Sequence, residues 1–289
     1  AAKYHAQVMS SDAIIADDSI DAVLIATTTD THSDLIEAAT HAGKAVMCEK
    51  PVDLSLERAR ACLKTVSATG RPVMIGFNRR FDPSFAAIRD GLVAGQIGKA
   101  ELLSVTSFDP APPPVEYIKV SGGMFRDMMI HDFDMTNFIM GETPVSISAF
   151  GACLVEPEIG RAGDIDTAVV TLSYADGKLA VIKNSRRAAY GYDQRLELLG
   201  ADGLLQAQNM LENTVVKSTS QGVISAKPTY FFIERYTPAY KAEWAAFVAA
   251  VQEGDVMPVS LKDGVQALAM AEAAQRSFDS SRPVRLADV

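Results

Sequence analysis

The chain has 289 residues, of which 48% are apolar, and its 27 basic and 36 acidic side chains give a net charge of −9. This length suffices for two hydrophobic cores, the negative charge argues against binding to a nucleic acid backbone, and no apolar run approaches the ~20 residues of a membrane-spanning helix. The three cysteines lack the spacing of a disulfide framework or a zinc site, so we expect a cytoplasmic protein. The length and the short apolar runs predict two domains and no membrane association.

The first part of the chain alternates between apolar runs and amphipathic stretches. The runs are continuously apolar, which is typical of parallel strands covered on both faces. This pattern predicts half of a doubly wound sheet, with Thr31 and Asp34 at a capped helix start and Gly43 at the helix end. The predicted strands are 22–26, 45–48 and 73–77, and the predicted helices are 34–42 and 56–69. We therefore expect a partial dinucleotide-binding domain over residues 1–77.

After Phe77 the pattern changes to that of a second α/β domain, which we place at residues 78–289. Asp176-Gly177 and Asp202-Gly203 lie between β-rich runs and predict hairpins, so the sheet is expected to be open and mostly antiparallel. A proline run at 111–114 predicts a loop. The predicted helices are 84–94, 123–140, 238–253 and 261–278, and the first predicted strand is 101–108.

Asp127 and His131 form the first candidate site, just after Gly122 and Gly123. On a regular helix, residues four apart lie on one face, and an imidazole that titrates near 6.5 can take a proton from an alcohol while a carboxylate orients it. A structural histidine–carboxylate pair is the alternative. A metal site built from His131, Asp132 and Asp134 is disfavoured, because residues one and three apart on a helix do not form a closed ligand set.

Lys50 follows the predicted strand 45–48, where open parallel sheets bind ligands, and there it could stabilise a developing alkoxide. Taken alone, Lys50-Pro51 is more typical of a surface loop. The hydroxyl-rich loop Thr27-Thr28-Thr29-Asp30-Thr31-His32 could line a dinucleotide and also cap a helix.

Three further side chains have open interpretations. Arg79 and Arg80 could reach cofactor or substrate hydroxyls, or pair with Asp82. Tyr236, at an expected junction between sheet and helix, could contact a polyol, although a packed tyrosine is favoured. The glycine-rich fingerprint G-x-G-x-x-G does not occur in the sequence, so the motif that usually carries dinucleotide binding is missing.

Four motifs in order nevertheless resemble those of the glucose-fructose oxidoreductase and inositol dehydrogenase family, over essentially the whole chain. They are Ala26-Thr27-Thr28-Thr29-Asp30-Thr31-His32, Cys48-Glu49-Lys50-Pro51, Gly76-Phe77-Asn78-Arg79-Arg80-Phe81-Asp82, and Gly122-Gly123-x-x-x-Asp127-x-x-x-His131-Asp132. The segment Phe232-Ile233-Glu234-Arg235-Tyr236 further resembles myo-inositol dehydrogenases.

The resemblance implies an NAD(P)-dependent dehydrogenase acting on a secondary hydroxyl of a cyclitol or sugar, with NAD favoured. From the spacing of the candidate ligands we expect no metal. The resemblance implies catalytic roles for Lys50, Asp127 and His131. Cofactor contacts would come from Thr27, Thr28, Thr29, His32, Glu49, Lys50 and Arg80, and substrate contacts from Lys50, Arg79, Asp127, His131 and Tyr236. It also implies a homodimer or homotetramer, formed through the flat face of the second sheet.

Family members begin with a strand and a glycine-rich turn, so about one βαβ unit is expected to be absent from this sequence. Two other functions stay open. One is a glycoside hydrolase of the same superfamily that uses NAD transiently, and the other is a non-catalytic NAD(P)-binding sensor.

Overall fold

A computed structural model describes residue 3 and residues 6–289 of the chain. The chain divides into two compact units, the first comprising Ala1–Phe77 with Trp244–Val265 and the second comprising Asn78–Glu243 with Gln266–Val289. The sequence-based division places 244–265 in the second domain, whereas this segment packs with the first unit. A domain boundary after Phe77 stays a prediction.

The first unit is built on a parallel sheet in the order β1-β2-β3, as its apolar runs predicted. The central strand β2 is buried along its apolar residues, and because successive side chains point to opposite faces, both faces of the sheet are covered at this strand. A short helix, α1, precedes the sheet and was not predicted. The elements are α1 (Ser11–Ala16), β1 (Ala22–Ile25), α2 (His32–His41), β2 (Ala45–Glu49), α3 (Leu56–Thr69) and β3 (Val73–Gly76).

Helix α2 starts earlier than predicted. It begins at His32, after a 3-10 turn at Thr29–Thr31, and the side chain of Thr31 makes no capping hydrogen bond. The predicted cap at Thr31 is therefore wrong. Its hydroxyl instead donates to the Thr28 carbonyl at 2.8 Å, which tightens the loop after β1.

The second unit contains a seven-stranded sheet in the order β12-β5-β6-β7-β4-β8-β9. Its neighbours are antiparallel except for the β4–β7 pair, so the mostly antiparallel sheet is confirmed. The strands are β4 (Ala100–Phe108), β5 (Ser146–Ala152), β6 (Thr167–Ser173), β7 (Leu179–Ser185), β8 (Asp193–Gly200), β9 (Gly203–Ala207) and β12 (Val284–Arg285). Strands β10 (Val216–Thr219) and β11 (Gly222–Ser225) form a separate hairpin.

Four helices of this part of the chain overlap the predicted ones, and two short helices, α5 and α7, were not predicted. They are α4 (Pro83–Val93), α5 (Val115–Ser121), α6 (Ile130–Met140), α7 (Pro157–Arg161), α8 (Phe232–Glu253) and α9 (Leu261–Ser280). Helix α8 begins six residues before the predicted start and contains Pro238 in its interior. Tyr236 therefore lies on a helix, and the predicted junction at this position is wrong. Within the described part of the chain, no helix combines the length and the apolarity that crossing a membrane requires.

Asp166 stabilises the segment that follows β5. Its buried carboxylate accepts hydrogen bonds from the backbone N–H groups of Leu154, Val155 and Glu156 at 2.7, 2.8 and 2.9 Å. Burial alone would raise the pKa of Asp166, but these donors outweigh burial and hold the pKa below its usual value.

We expect Asp166→Asn to lower the free energy of unfolding by about 2–3 kcal/mol at pH 7, because a neutral amide replaces a charged acceptor facing three donors. A carboxyl with a lowered pKa in the fold stabilises it above the unfolded pKa of ~3.9, and this contribution is lost as the pH falls. The difference between the variant and the parent should therefore shrink between about pH 5 and pH 3. Urea unfolding across this pH range measures the difference in unfolding free energy, and Asp90→Asn, at an exposed position, is the control. A difference that does not change with pH contradicts the prediction.

Candidate active site

Three loops meet at one edge of the parallel sheet, because the carboxyl ends of β1, β2 and β3 lie on the same side. After β1, Ala26, Thr27 and Thr28 are exposed. The Thr27 hydroxyl lies 2.6 Å from the Thr31 hydroxyl. The loop thus offers hydroxyls and backbone groups at the edge where such sheets bind ligands.

His32 joins two of these loops. Its buried ring has Nδ1 2.8 Å from the Pro51 carbonyl oxygen, whereas Nε2 is 3.3 Å from the carbonyl oxygen of Thr27. Both partners are carbonyl oxygens, so the ring nitrogen that carries the proton is the donor, and the contact of Nδ1 is the shorter one. His32 thereby fixes the spacing of the loops after β1 and β2, and its predicted contact with a cofactor stays a prediction.

Lys50 stands directly after the central strand, at the position that its sequence context predicted. It is half-buried, and the Lys50–Pro51 peptide bond is cis. Burial raises the pKa of the neighbouring Glu49, and the ammonium of Lys50 acts in the opposite direction. A Cβ at Gly76 on β3 would lie 3.1 Å from Glu49 Oε2, so a glycine lets the two strand ends approach.

In the second unit, Gly123 starts the segment that carries Asp127 and His131. Gly123 has φ +75°, and a Cβ there would lie 2.8 Å from Asp164 Oδ1, so both the backbone angle and the space require glycine. The same carboxylate oxygen accepts the Met124 N–H at 3.1 Å.

The regular helix predicted over 123–140 is wrong in its first part. Met124–Met128 forms a π-helical turn, closed by a hydrogen bond of 2.9 Å from the Met129 N–H to the Met124 carbonyl, and α6 begins only at Ile130. Asp127 lies in the π turn and His131 in the first turn of α6. Single π turns of this kind are frequent at functional sites.

Asp127 is 9% exposed and accepts a hydrogen bond from the Tyr117 hydroxyl at 3.0 Å. Burial and the charge of Asp127 both raise the pKa of Tyr117, so this hydroxyl stays protonated and acts as the donor. Tyr117 is on α5, a helix that sequence reasoning missed because it follows the proline run. Asp109 is a further acidic group of this region, and burial raises its pKa to about 6.

Asp132, next to His131, is the centre of a buried polar network. Its Oδ1 accepts from Arg79 Nη1 and from the Ser107 hydroxyl, both at 2.6 Å, and its Oδ2 accepts from Asn184 Nδ2 at 2.8 Å. Ser107 is in register with Asn184 on β7 and with Gln194 on β8. The carboxylate therefore fastens α6 to two neighbouring strands, β4 and β7, and to the turn that carries Arg79.

The predicted roles of the arginines change accordingly. Arg79 pairs with Asp132 and not with Asp82, which pairs with Arg235. Arg80 makes two hydrogen bonds to Asp134, at 2.9 and 2.6 Å. Both carboxylates considered for a metal site thus face guanidinium groups, and no cluster of three or more metal-ligating side chains occurs among the described residues.

Tyr236 is packed, as the favoured interpretation of the sequence expected. It is 2% exposed, and the centre of its ring lies 4.9 Å from the guanidinium carbon of Arg235. The ring also forms an edge contact with Tyr192. Burial raises its pKa to about 12. The tyrosine supports the network around Asp132, and its predicted contact with substrate stays a prediction.

Comparison with known proteins places this arrangement in a family. Residues 1–77 match the model "Oxidoreductase family, NAD-binding Rossmann fold", and residues 89–286 match "Oxidoreductase family, C-terminal alpha/beta domain". The chain belongs to the glucose-fructose oxidoreductase and inositol dehydrogenase family. The predicted fold class, a Rossmann-type parallel sheet with a second α/β domain, is confirmed.

Individual members of the family are similar over most of their length. The chain is 50% identical to inositol 2-dehydrogenase of Rhizobium meliloti (strain 1021), over 99% of this chain and 87% of the relative. The crystal structure of a myo-inositol dehydrogenase from Corynebacterium glutamicum ATCC 13032 has a TM-score of 0.92 at 45% identity, covering 96% of this chain and 84% of that one. A scyllo-inositol dehydrogenase from Lactobacillus casei with bound NAD(H) and scyllo-inositol has a TM-score of 0.89 at 30% identity, with the same coverage of 96% and 84%.

The loops at the carboxyl edge of the sheet suit the NAD of this family. Thr27 and Thr28 supply exposed hydroxyl and backbone groups, Gly76 allows close backbone approach, and Lys50 supplies a cation. As a member of this family, the protein is an NAD-binding oxidoreductase. The contacts of Thr27, Thr28 and Lys50 with the cofactor stay a prediction.

The ion pair between Arg79 and Asp132 gives a stability prediction. Asp132→Leu leaves the buried guanidinium uncompensated and should lower the free energy of unfolding by about 3–5 kcal/mol. Arg79→Met should have a similar effect for the opposite charge, whereas the double variant should lose much less than the sum, since neither charge then stays unpaired. Urea unfolding of the three variants tests this double-mutant cycle, and strictly additive losses contradict it.

Proposed function

We propose that this protein oxidises a secondary hydroxyl of an inositol, with NAD as hydride acceptor, and that myo-inositol is its substrate. The observation that carries the proposal is the similarity, over 99% of the chain, to an inositol 2-dehydrogenase. The NAD(H) and scyllo-inositol bound to the Lactobacillus casei relative support the same substrate class. Whole-length relatives named as dehydrogenases favour this function over the glycoside hydrolase and the sensor.

His131 is assigned the removal of the hydroxyl proton. An imidazole can do this near neutral pH, and a carboxylate can stabilise the cation that forms. Asp127 is assigned this second role, and the hydrogen bond from Tyr117 fixes one of its oxygens. The hydrogen bonds of the adjacent Asp132 to Arg79, to Ser107 on β4 and to Asn184 on β7 limit the movement of the helical turn that carries His131.

Lys50 is assigned the stabilisation of negative charge on the reacting oxygen. A half-buried ammonium at the end of a buried strand interacts with a developing alkoxide more strongly than a fully solvated one would. When bound, NAD supplies the hydride acceptor. A cytoplasmic location stays a prediction.

Kinetics of single variants test the three roles. We expect His131→Ala to lower kcat/KM for myo-inositol by about 10²–10⁴-fold, the range of general acid–base catalysis. We expect Lys50→Ala to lower kcat by about 10²–10³-fold through lost charge stabilisation. Asp127→Asn, which keeps the shape of the side chain and removes its charge, should also reduce kcat. Reduced nicotinamide absorbance measures the rates.

His41→Ala is the matched control, because His41 is an exposed histidine at the end of α2. It should retain the parent rate. Turnover equal to the parent in all three test variants would falsify the assigned roles, and a parent that oxidises none of the inositols would contradict the function itself.

We also propose that the protein forms a homodimer or homotetramer through the exposed face of the second sheet. Four leucines occupy one register row across β7, β4, β8 and β9, and each is 40–50% exposed. They are Leu179, Leu102, Leu199 and Leu204. The sequence left open whether such residues serve the core or an interface. Val170 and Leu198 are buried, whereas Val169 and Leu199 lie on the exposed face.

The double substitution Leu102→Glu with Leu199→Glu places two charges in the middle of this row and should reduce the molar mass in light scattering to a smaller assembly. Val256→Glu, at a site 91% exposed in the first unit, is the control that should keep the parent mass. A monomeric parent at tens of micromolar, or an unchanged mass in the double variant, contradicts the proposed interface.

A further inference from the structure

Arg186 is a buried cation whose donors are incompletely used. It follows β7, is 1% exposed, and is the bulkiest fully buried side chain among the described residues. Its Nε and Nη2 are enclosed, and neither has a hydrogen-bond partner in the described part of the chain. Enclosed donors of a charged group cost several kcal/mol when unsatisfied, so a position of this kind calls for a partner.

Asp164 presents the complementary group. Its Oδ2 is also enclosed without a hydrogen-bond partner among the described residues, and it lies 3.8 Å from Arg186 Nη2. This distance is too long for a hydrogen bond, and the ion pair therefore leaves one donor and one acceptor unsatisfied side by side.

A hydroxyl group satisfies both atoms at once. Both atoms are enclosed, so a hydroxyl reaches them only after the neighbouring side chains move apart. Because the two atoms are 3.8 Å apart, one oxygen between them would then lie within about 2.7–3.2 Å of both, accept a hydrogen bond from Nη2 and donate one to Oδ2. An anionic group would accept a hydrogen bond from the guanidinium but would be repelled by the carboxylate of Asp164. A cation would be repelled by the guanidinium. The pair thus selects a neutral hydroxyl compound.

Asp164 is also bonded to the start of the segment that carries the proposed proton-transfer residues. The other oxygen of Asp164 accepts the N–H of Met124, the first residue of the π turn that carries Asp127. The charge of Arg186 acts to lower the pKa of Asp109 and that of Tyr117. The hydroxyl of Tyr117 in turn donates a hydrogen bond to Asp127.

We propose that Arg186 and Asp164 bind one hydroxyl of the polyol substrate and contribute to the choice of cyclitol. The inference rests on the proposed function and deepens it, since an inositol carries a hydroxyl on every ring carbon. Arg186 Nη2 donates a hydrogen bond to the substrate oxygen, and Asp164 Oδ2 accepts a hydrogen bond from the O–H of the same hydroxyl. A buried structural water at the same place is the competing occupant.

Steady-state kinetics with saturating NAD test the proposal in Arg186→Met, which keeps the length of the side chain and removes its donors. We expect KM for myo-inositol to rise about 10- to 100-fold, the size of a lost hydrogen bond to a charged group, with KM for NAD nearly unchanged. Arg187→Met is the matched control, because Arg187 is the exposed neighbour of Arg186. It should keep both constants.

A series of singly deoxygenated inositols identifies the hydroxyl. One member should bind the parent more weakly by the same factor and show no further loss in Arg186→Met. Equal losses for every member of the series overturn a specific hydroxyl contact.

Two measurements keep the test decisive if Arg186→Met does not fold. Asp164→Asn changes a partly exposed side chain and should also raise KM for myo-inositol. A crystal structure of the unaltered protein with NAD and myo-inositol should show a ligand oxygen within hydrogen-bond distance of Arg186 Nη2 and Asp164 Oδ2. A water alone at that position overturns the proposal.

The outcomes separate this inference from the proposed function. An active parent enzyme with unchanged KM in folded Arg186→Met overturns the hydroxyl site and leaves the inositol dehydrogenase standing. A parent that oxidises no inositol overturns both.

Discussion

A buried carboxylate, that of Asp132, is the constraint on which the second unit depends. It is 0% exposed, and its charge is compensated by Arg79, Ser107 and Asn184, which come from three separate parts of the chain. An uncompensated charge in this position would cost several kcal/mol, so the three donors have to be in place together. The carboxylate thereby ties the position of α6 on the sheet to the register of the strands. The same contacts fix the position of the neighbouring residue, His131.

Local irregularity is concentrated next to this anchor. Gly123 adopts a backbone angle and a contact with Asp164 that exclude a side chain, and the π turn follows directly. Such a turn gives up regular helical hydrogen bonding and changes the direction of Asp127 relative to α6. The network around Asp132 holds the proposed base, His131, in position. The irregular turn sets the direction of the Asp127 carboxylate.

The charges of the second unit also favour a neutral substrate. Asp109, Asp127 and Asp164 bring three acidic groups into the region of Arg186, and burial keeps the pKa of Asp109 near 6. A polyol can donate to carboxylates and accept from a guanidinium, whereas a phosphate or a carboxylate ligand meets like charge. The substrate class suggested by the relatives and the electrostatics of the chain therefore agree.

The sequence by itself determined the parallel sheet of the first unit, the hairpins at Asp176-Gly177 and Asp202-Gly203, and the position of Lys50 at a strand end. These features follow from local periodicity and turn chemistry, which depend on neighbours in the sequence. Only the tertiary structure decided that Arg79 pairs with Asp132, that Tyr117 holds Asp127, and that Leu199 is exposed while Leu198 is buried. The physical reason is that an ion pair or a strand neighbour is chosen by distance in space, and the register that joins Ser107 to Asn184 and Gln194 spans residues far apart in the chain.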